Sequence, residues 1–285
     1  MTTSTVRTVR RRRWAKRRRR GLPIVGATLR EKRTGLTFVC AYTVFIVFLV
    51  AGILPTFEQM DIASFLENPA FAAFLGISGL ETFEGFSAIL AMEFYGVWYG
   101  VIFGCVVAYF AGSTIAHTVE DGSIDLLLSR PMSRTRYYME RWSGILIIIA
   151  IVSAVALFSV YICTLVFSGV NVNWKWMLLT QLTGTIFLLF ASAAGMLVSS
   201  LISSGRSAGG AAIGIIFFSY VLNIAGTLVT QWPWVEKLSP FYYAPMARIL
   251  VAQQITWWHL LVLMGIGLVL GLTGLVIFNR RDIAA

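Results

Sequence analysis

Residues 143–168 read SGILIIIAIVSAVALFSVYICTLVFS, a run that contains no Asp, Glu, Lys, Arg or Pro. A helix needs roughly 20 apolar residues to cross the hydrocarbon core of a bilayer, so this run predicts a membrane span. Five further windows share these properties, and the six predicted spans are about 36–54, 94–116, 143–168, 177–202, 209–229 and 258–278. The sequence therefore predicts an all-α integral membrane protein.

The composition agrees with a membrane protein rather than a soluble one. The 285 residues are 58% hydrophobic and 13% charged, whereas soluble domains carry about 25% charged residues. The formal net charge is +10, but 13 of the 23 Lys and Arg residues lie within residues 1–35. Three cysteines each fall within an apolar run and show no metal-ligand spacing, so we interpret them as small buried hydrophobic residues. They are Cys40, Cys105 and Cys163.

The distribution of basic residues predicts the orientation of the chain. If the N-terminus is cytoplasmic, the segments on that side are 1–35, 117–142, 203–208 and the C-terminal tail. These segments hold 20 of the 23 Lys and Arg residues, and the segments on the other side hold three. Because basic loops stay in the cytoplasm, we expect both termini there, in a multi-pass protein of the cell membrane.

The N-terminal segment, residues 1–21, is predicted to be a disordered tail, because its arginines form two unbroken blocks that repel one another. The blocks are Arg10, Arg11, Arg12, Arg13, Arg17, Arg18, Arg19 and Arg20. A polybasic segment beside a span attracts anionic lipid by about 1 kcal/mol per basic residue, so we expect the tail to contact membrane lipid and to help set the topology. A mitochondrial presequence is also Arg-rich and acid-poor. Specific nucleic-acid binding is disfavoured because no folded nucleic-acid-binding domain accompanies the basic segment. A cleaved secretory signal is disfavoured because the apolar run that follows the segment is too long.

Three connecting segments in the membrane domain, residues 22–285, carry patterns of their own. In residues 22–35, apolar positions on one helical face favour a short helix along the membrane surface, although an irregular linker also fits. Residues 55–93 combine six acidic residues with apolar clusters, and we expect short amphipathic helices there. Residues 230–257 are aromatic and broken by three prolines. This segment could enter the membrane partway as a re-entrant element where protein or water covers its backbone.

The sequence lacks the motifs of an enzyme. There is no Gly-x-x-x-x-Gly-Lys-Ser/Thr run, so the chain has no ATP-binding P-loop of its own. The two histidines, His117 and His259, fall at opposite faces of the predicted membrane domain, which excludes a His-pair metal site within one chain. Ion- and proton-driven carriers usually keep ionisable residues inside their spans, and the predicted spans contain no Asp, Glu, Lys or Arg, so a secondary transporter is disfavoured. Gln181 and Asn223 are the candidates for lining a translocation pathway.

The segment between the second and third spans, residues 117–142, contains a distinctive pattern. Ser123 can cap a short helix that Pro131 would end, and Ser133 can cap the helix that continues into the third span. The apolar face of the short helix, at i, i+3 and i+4 spacing, consists of Ile124, Leu127 and Leu128. Exposed leucines are unfavourable in water. This apolar knob therefore either packs on its own membrane domain or docks into a groove on a cytoplasmic partner.

The run EDGSIDLLLSRPMSR at residues 120–134 resembles the signature of ABC transporter permeases of the type-2 exporter family. The matching positions are Glu120, Gly122, Ser123, Leu127, Leu128, Ser129, Pro131, Ser133 and Arg134, with Ser123 where threonine is usual. Arg141 lies about where the family has a basic residue. Six spans and termini on one side also fit. The resemblance thus covers residues 22–285, and the Arg-rich tail is not part of it.

The resemblance implies a membrane-spanning permease of an ATP-driven exporter that hydrolyses nothing itself. It implies a working unit of two permeases, identical or different, and two copies of a cytoplasmic ATPase subunit. ATP and Mg would bind on that subunit, and no cofactor is expected in this chain. The loop after the second span would carry the coupling helix, whose movement with the ATPase opens the spans alternately. Glu120 and Arg134 flank this helix and either pair with the rim of the partner, serve as local caps, or pair with each other within the loop.

Pairs of glycines four residues apart permit close approach of membrane helices. They occur at Gly96, Gly100 and Gly104, at Gly205 and Gly209, and at Gly210 and Gly214. Contacts within the chain and a seam between two permease copies are both compatible with this spacing.

The sequence is also compatible with two other classes of function. One is a non-transporting membrane protein, such as an ATPase-linked sensor or an assembly factor. The other is a membrane-embedded enzyme, for which we find no polar catalytic cluster. The substrate of an exporter is not readable from the sequence, although an apolar pathway suits a hydrophobic or amphipathic cargo.

Overall fold

The computed structural model describes residues 23–57, 68–75, 85–122, 132–229, 231–232 and 234–281. The regular elements in these residues are helices. The α-helices are α1 (Pro23–Phe57), α2 (Pro69–Phe74), α3 (Gly85–Leu90), α4 (Gly104–Glu120), α5 (Arg134–Val166), α6 (Trp174–Leu201), α7 (Gly205–Leu228), α8 (Met246–Ala252) and α9 (Trp257–Arg280). A π-helix, Ala91–Phe103, joins α3 to α4, and a short 3-10 helix covers Glu236–Leu238.

Six helical segments are long and apolar enough to cross a membrane, which confirms the predicted fold class. They are α1, α5, α6, α7, α9 and the continuous helix Gly85–Glu120, which contains α3, the π-helix and α4. Helix α6 is the most enclosed span and packs against α4, α5, α7 and α9. Helix α1 packs along α5, and α7 packs along α4. The outer surfaces of α1, α7 and α9 stay exposed and apolar, as a membrane environment requires.

Both ends of the described chain lie on one side of the bundle, which we call the terminal face. Arg134 Nη1 donates a hydrogen bond to the carbonyl of Arg281 at 2.6 Å, so the start of α5 adjoins the end of α9. Glu140 Oε2 accepts one from the N–H of Ile24 at 3.4 Å, so the start of α1 lies there too. The other side, which carries α2 and the 3-10 helix, is the opposite face.

The prediction of a separate surface helix over residues 22–35 is wrong. From Pro23 onward these residues belong to the same 35-residue helix that contains the first span. The physical reason is tertiary contact: Arg141 Nη1 donates to Glu31 Oε2 at 3.1 Å, which holds this part of α1 against α5. A hydrophobic pattern that also fits a surface helix cannot reveal such a contact.

The connection between the first two spans is shorter than predicted. The second membrane-crossing helix begins at Gly85 rather than at about 94, and α2 is the described short helix before it. Residues 58–67 and 76–84 lie outside the described residues. The extension places Glu93 inside a membrane-crossing helix, so the prediction that the spans hold no carboxylate is wrong at this position.

The aromatic segment after α7 folds back onto the bundle. Helix α8 packs against α6 and the π-helix, and its Met246, Ile249 and Leu250 are buried. The ring of Phe241, which precedes it, packs at a tilt against that of Phe187 of α6, with ring centroids 4.6 Å apart. Protein therefore covers much of this backbone, which is the condition that the predicted re-entrant element requires.

The paired glycines divide into two groups. A Cβ at Gly205 would lie 2.9 Å from Cβ of His117, and one at Gly104 would lie 2.9 Å from the ring of Phe187, so these positions allow close helix packing within the chain. Gly96, Gly100 and Gly209 also adjoin residues of the same chain. Gly210 and Gly214 differ, because no atom lies within 4 Å of a Cβ at either position. Their side of α7 is open.

Candidate functional site

The structure describes both flanks of the motif at residues 120–134 but not its centre. Glu120 and Gly122 stand on one side, and Ser133 and Arg134 on the other. Residues 123–131 of the motif lie outside the described residues, and they include the predicted site residues Ser123, Ile124, Leu127, Leu128, Ser129 and Pro131. The helix predicted for the centre of the motif therefore stays a prediction, whereas the geometry of its two attachment points is known.

Glu120 links the first flank to a different span. It is the last residue of α4, and its Oε2 accepts the backbone N–H of Gly205 at 2.7 Å. Its Oε1 accepts the hydroxyl of Ser204 at 3.1 Å. Gly205 begins α7, whose first N–H groups have no partner within the helix and carry a partial positive charge. The carboxylate thus caps α7, a helix that begins 85 residues away, rather than serving as the local cap considered above.

Gly122 fixes the direction in which the chain leaves α4. Its φ is +65°, a left-handed conformation that side chains disfavour and that commonly ends helices at glycine. The N–H of Asp121 donates to the carbonyl of His117 at 3.0 Å, and that of Gly122 to Val119 at 3.2 Å, which closes the last turn. The left-handed backbone conformation therefore explains why a glycine suits this position of the motif.

The second flank is held by a cap and by the end of the last span. Ser133 Oγ accepts the N–H of Arg136 at 3.2 Å, which confirms that Ser133 caps α5. Arg134 donates to the carbonyl of Arg281, just beyond α9. Arg281 in turn donates to the carbonyl of Ser200 at 3.0 Å and to the hydroxyl of Ser203. The start of α5 is thus joined to the ends of α9 and α6.

A buried polar chain joins the two flanks to each other and to α1. The hydroxyls of Thr118 and Tyr137 lie 2.7 Å apart, which connects α4 to α5. Arg141 Nε donates to the same tyrosine hydroxyl at 3.1 Å, and Arg141 Nη1 donates to Glu31 and, at 3.3 Å, to Thr28. Arg141 is only 5% exposed. The basic residue that the resemblance placed here therefore acts as a buried tie between spans.

Its neighbour Glu140 completes the attachment of α1. Glu140 is buried, accepts Arg136 Nε at 2.8 Å, and faces the N–H of Ile24 at the first turn of α1. A carboxylate at a helix N-terminus is electrostatically favourable. Both charges could have been noticed in the sequence, since Glu140 and Arg141 stand side by side at the start of an otherwise apolar span.

An open cavity of about 640 Å³ lies on the terminal face between α1, α4 and α7. Its walls include charged residues of both signs, among them Lys32, Glu120 and Arg206. Lys32 is already engaged, since its Nζ lies 2.8 Å from Glu31 and donates to Ser113 at 2.9 Å. The cavity thus presents a polar surface beside the motif. Within the described residues, no group of three or more His, Cys, Asp or Glu residues could hold a metal ion.

Gln181, a candidate for the translocation pathway, is 2% exposed and sits inside a polar network. Its Oε1 accepts the hydroxyl of Tyr95 at 2.8 Å, and its Nε2 donates to the hydroxyl of Tyr99. Tyr99 also lies 3.1 Å from Ser153 Oγ. The network joins the π-helix to α5 and α6, so in this conformation Gln181 faces the protein interior.

Asn223, the other pathway candidate, lines a cavity of about 420 Å³ in the opposite half of the bundle. Its Oδ1 is buried and has no hydrogen-bond partner among the described residues. His259 lines the same cavity, and its ring packs on Tyr242 with centroids 5.0 Å apart. The two candidates are therefore not brought together, and a role for either in transport stays a prediction.

Comparison with known families gives a match over nearly the whole described chain. The model of the ABC-2 family transporter protein matches residues 24–283. The match spans all six membrane-crossing helices and both flanks of the motif, and it begins after the Arg-rich tail. A search of curated proteins gave no match.

Proposed function

The chain belongs to the ABC-2 family of transporter proteins, and from this we propose that it is the membrane-spanning permease subunit of an ATP-driven exporter. In this proposal a separate cytoplasmic ATPase subunit supplies the energy, and substrate crosses by alternating access. The observation that carries the proposal is the attachment of the motif flanks to other spans, by Glu120 to the start of α7 and by Arg134 to the end of α9.

These attachments suit a loop that transmits force. A displacement of the loop at residues 123–131 pulls on the end of α4 and the start of α5. The contact of Glu120 passes the displacement to α7, and that of Arg141 passes it to α1. Packed helices respond as rigid elements rather than by continuous deformation. One loop can therefore move several spans together, which alternating access requires.

The partners follow from the same proposal. Two copies of the ATPase, which bind ATP and Mg, dock on the terminal face, which is cytoplasmic, and Leu127 and Leu128 insert into them. The Arg-rich tail contacts anionic lipid of the cell membrane. A second permease copy, identical or different, packs on the open side of α7 at Gly210 and Gly214. This side also exposes apolar residues at helical spacing, namely Phe217, Phe218 and Val221.

Purification of the tagged chain from its native host tests the proposal. We expect a P-loop ATPase to co-purify in equal amount, and we expect the reconstituted complex to hydrolyse ATP. A chain that purifies alone from mild detergent, with the ATPases of the cell recovered elsewhere, contradicts the proposal. An ATPase-linked sensor would also retain its partner, so movement of a substrate into proteoliposomes on addition of ATP separates that alternative.

A further inference from the structure

The cavity of about 420 Å³ in the opposite half of the bundle has walls that are held in place within this chain. The last turns of α7, the 3-10 helix, the residues before α8 and the first turn of α9 line it. Tyr220 in its wall donates a hydrogen bond to the carbonyl of Phe74 at 2.6 Å, and the ring of Tyr220 lies 5.4 Å from that of Phe241. Small-molecule sites are usually largely preformed and have volumes of roughly 300–1,000 Å³. This cavity meets both conditions.

Two residues that line the cavity each carry a buried polar atom without a partner among the residues that the structure describes. These atoms are Asn223 Oδ1 and His259 Nδ1. Buried polar groups are nearly always paired with protein, water or ligand, and an unpaired one costs free energy. Thr227 donates to the backbone carbonyl of Asn223 rather than to its amide. The amide can therefore turn toward a molecule in the cavity without breaking a bond at Oδ1.

The same cavity is lined by two charges of opposite sign. Glu236 is partly buried in the 3-10 helix, and Arg248 is exposed on α8, at the mouth of the cavity. The ion pairs between described residues involve neither side chain. The cavity on the terminal face differs, because Glu120 and Lys32 there are already engaged within the protein. A molecule that carries both charges would complement Glu236 and Arg248 together.

Exposed tryptophans show the depth of the cavity in the membrane. Trp232 and Trp234 precede Glu236 in the chain, and Trp258 directly precedes His259. All three indoles are exposed. Indoles at the surface of a membrane protein prefer the headgroup level of the bilayer. The cavity therefore lies where lipid headgroups and water-soluble molecules can both reach it.

The chemistry of the lining indicates which zwitterion fits. A primary ammonium has three donors and no acceptor, which matches the carboxylate of Glu236 and the amide oxygen of Asn223. The planar guanidinium of Arg248 suits a phosphate, to which arginine binds through two parallel N–H groups. Lipid headgroups that join a phosphate to a primary ammonium have both groups in one small unit.

We propose that this cavity binds the phosphoethanolamine group, either as the headgroup of phosphatidylethanolamine or as the free molecule. The ammonium faces Glu236 and Asn223, and the phosphate faces Arg248 at the mouth. The inference goes beyond the proposed function, since the cavity lies away from the motif and binding needs neither ATPase nor nucleotide. A chain that binds the group but retains no ATPase would contradict the proposed function alone.

Two binding measurements on the full-length chain, without ATPase, test the inference and distinguish the two sources. In nanodiscs of phosphatidylglycerol we expect saturable binding of radiolabelled phosphoethanolamine, which glycerol phosphate, lacking the ammonium, does not displace. In nanodiscs that mix phosphatidylethanolamine with phosphatidylglycerol, native mass spectrometry measures which lipid the chain retains. Preferential retention of phosphatidylethanolamine identifies the lipid as the occupant, and binding of the free molecule alone identifies the soluble one. If neither is observed, water alone fills the cavity and the inference is overturned.

Substitutions then locate the site. We expect Glu236→Gln and Arg248→Gln each to weaken binding or retention roughly tenfold, as loss of a charge-assisted hydrogen bond predicts, and Asn223→Ala to weaken it severalfold. Lys237→Gln is the matched control, because Lys237 is exposed on the same 3-10 helix and does not line the cavity. It should bind as the wild type does. Wild-type affinity of either charge variant overturns the inference. If Glu236→Gln does not fold, Arg248→Gln decides, since its side chain is exposed.

Discussion

Glu120 Oε2 accepts the backbone N–H of Gly205 at 2.7 Å, although 85 residues separate the two positions. The bond joins the end of the second span to the start of the fifth, at the point where the motif loop leaves the membrane domain. Its significance lies in geometry rather than in stability, because the carboxylate is exposed to solvent. It makes the position of α7 depend on the position of the loop.

Removing this bond should separate coupling from docking. In Glu120→Ala we expect the ATPase to stay bound, because Glu120 contacts α7, whereas transport-stimulated ATP hydrolysis should fall severalfold because the loop no longer carries α7 with it. Asp121→Ala is the matched control, since this neighbouring carboxylate pairs with His117 of its own helix at 3.4 Å, and it should behave as wild type. If Glu120→Ala instead loses the ATPase in a pull-down, Glu120 contacts the rim of the partner, and the transmission role is refuted.

The left-handed conformation of Gly122 predicts a specific cost. Gly122→Ala should destabilise the protein by roughly 1–2 kcal/mol, the penalty of a side chain in this conformation, measured as a lower temperature of thermal unfolding in detergent. Gly26→Ala is the control, because Gly26 lies within α1 with open space around a Cβ. That change should be neutral or slightly stabilising, since alanine favours helix. Equal unfolding temperatures for wild type and Gly122→Ala would mean that the chain does not turn at this residue.

The pair of Arg141 and Glu31 should couple energetically across α5 and α1. Breaking a fully buried pair costs roughly 3–5 kcal/mol, and Glu31 keeps 30% of its side chain exposed, so we expect about 1–3 kcal/mol for Arg141→Gln after this discount. The double variant with Glu31→Gln should cost less than the sum of the single changes. Strict additivity in this double-mutant cycle, measured by thermal unfolding, would show that the two side chains do not interact.

The open glycines of α7 predict where two permeases meet. Gly210→Leu with Gly214→Leu should reduce the dimer fraction measured by single-molecule photobleaching in nanodiscs, because the larger side chains hold the helices apart. Gly265→Leu is the control, since Gly265 on α9 also has open space around a Cβ. It should leave the dimer intact. A dimer fraction that both sets of changes leave unaltered places the seam on another surface.

The sequence predicted six spans because each is a long apolar run, and runs of this length have few structures open to them in a membrane. The residues at which the spans begin were predicted less accurately from the sequence. The second span was predicted to begin after Glu93 because a carboxylate interrupts the apolar pattern, whereas packing on neighbouring helices continues the helix back to Gly85. The first span was predicted to begin only after residues 22–35 for a similar reason. The sequence does not reveal that the charges of Glu31 and Lys32 are paired within the protein.

The site was predicted in part. Ser133 was predicted as a cap, because the side-chain oxygen of a serine that precedes a helix can accept a backbone N–H of its first turn. The links from Glu120 to Gly205 and from Arg134 to Arg281 were not, because they join residues that only the tertiary fold brings together. The π-helix was missed as well, since its apolar residues fit an α-helix equally well in the sequence.

We expect the loop between the second and third spans to dock into a cytoplasmic ATPase through Leu127 and Leu128. Each leucine buried at the contact contributes on the order of 1.5–3 kcal/mol. Replacing both by aspartate removes this contribution and adds the cost of taking two charges out of water. Leu238→Asp, on the exposed 3-10 helix of the opposite face, is the control.

The most direct measurement is a pull-down of the ATPase with the tagged permease, followed by ATP hydrolysis in proteoliposomes. For Leu127→Asp with Leu128→Asp we expect normal membrane insertion, loss of the ATPase, and loss of transport-stimulated hydrolysis, whereas the Leu238→Asp control keeps both. If the double variant retains its ATPase as tightly as wild type and hydrolyses ATP at the normal rate, this loop is not the coupling element.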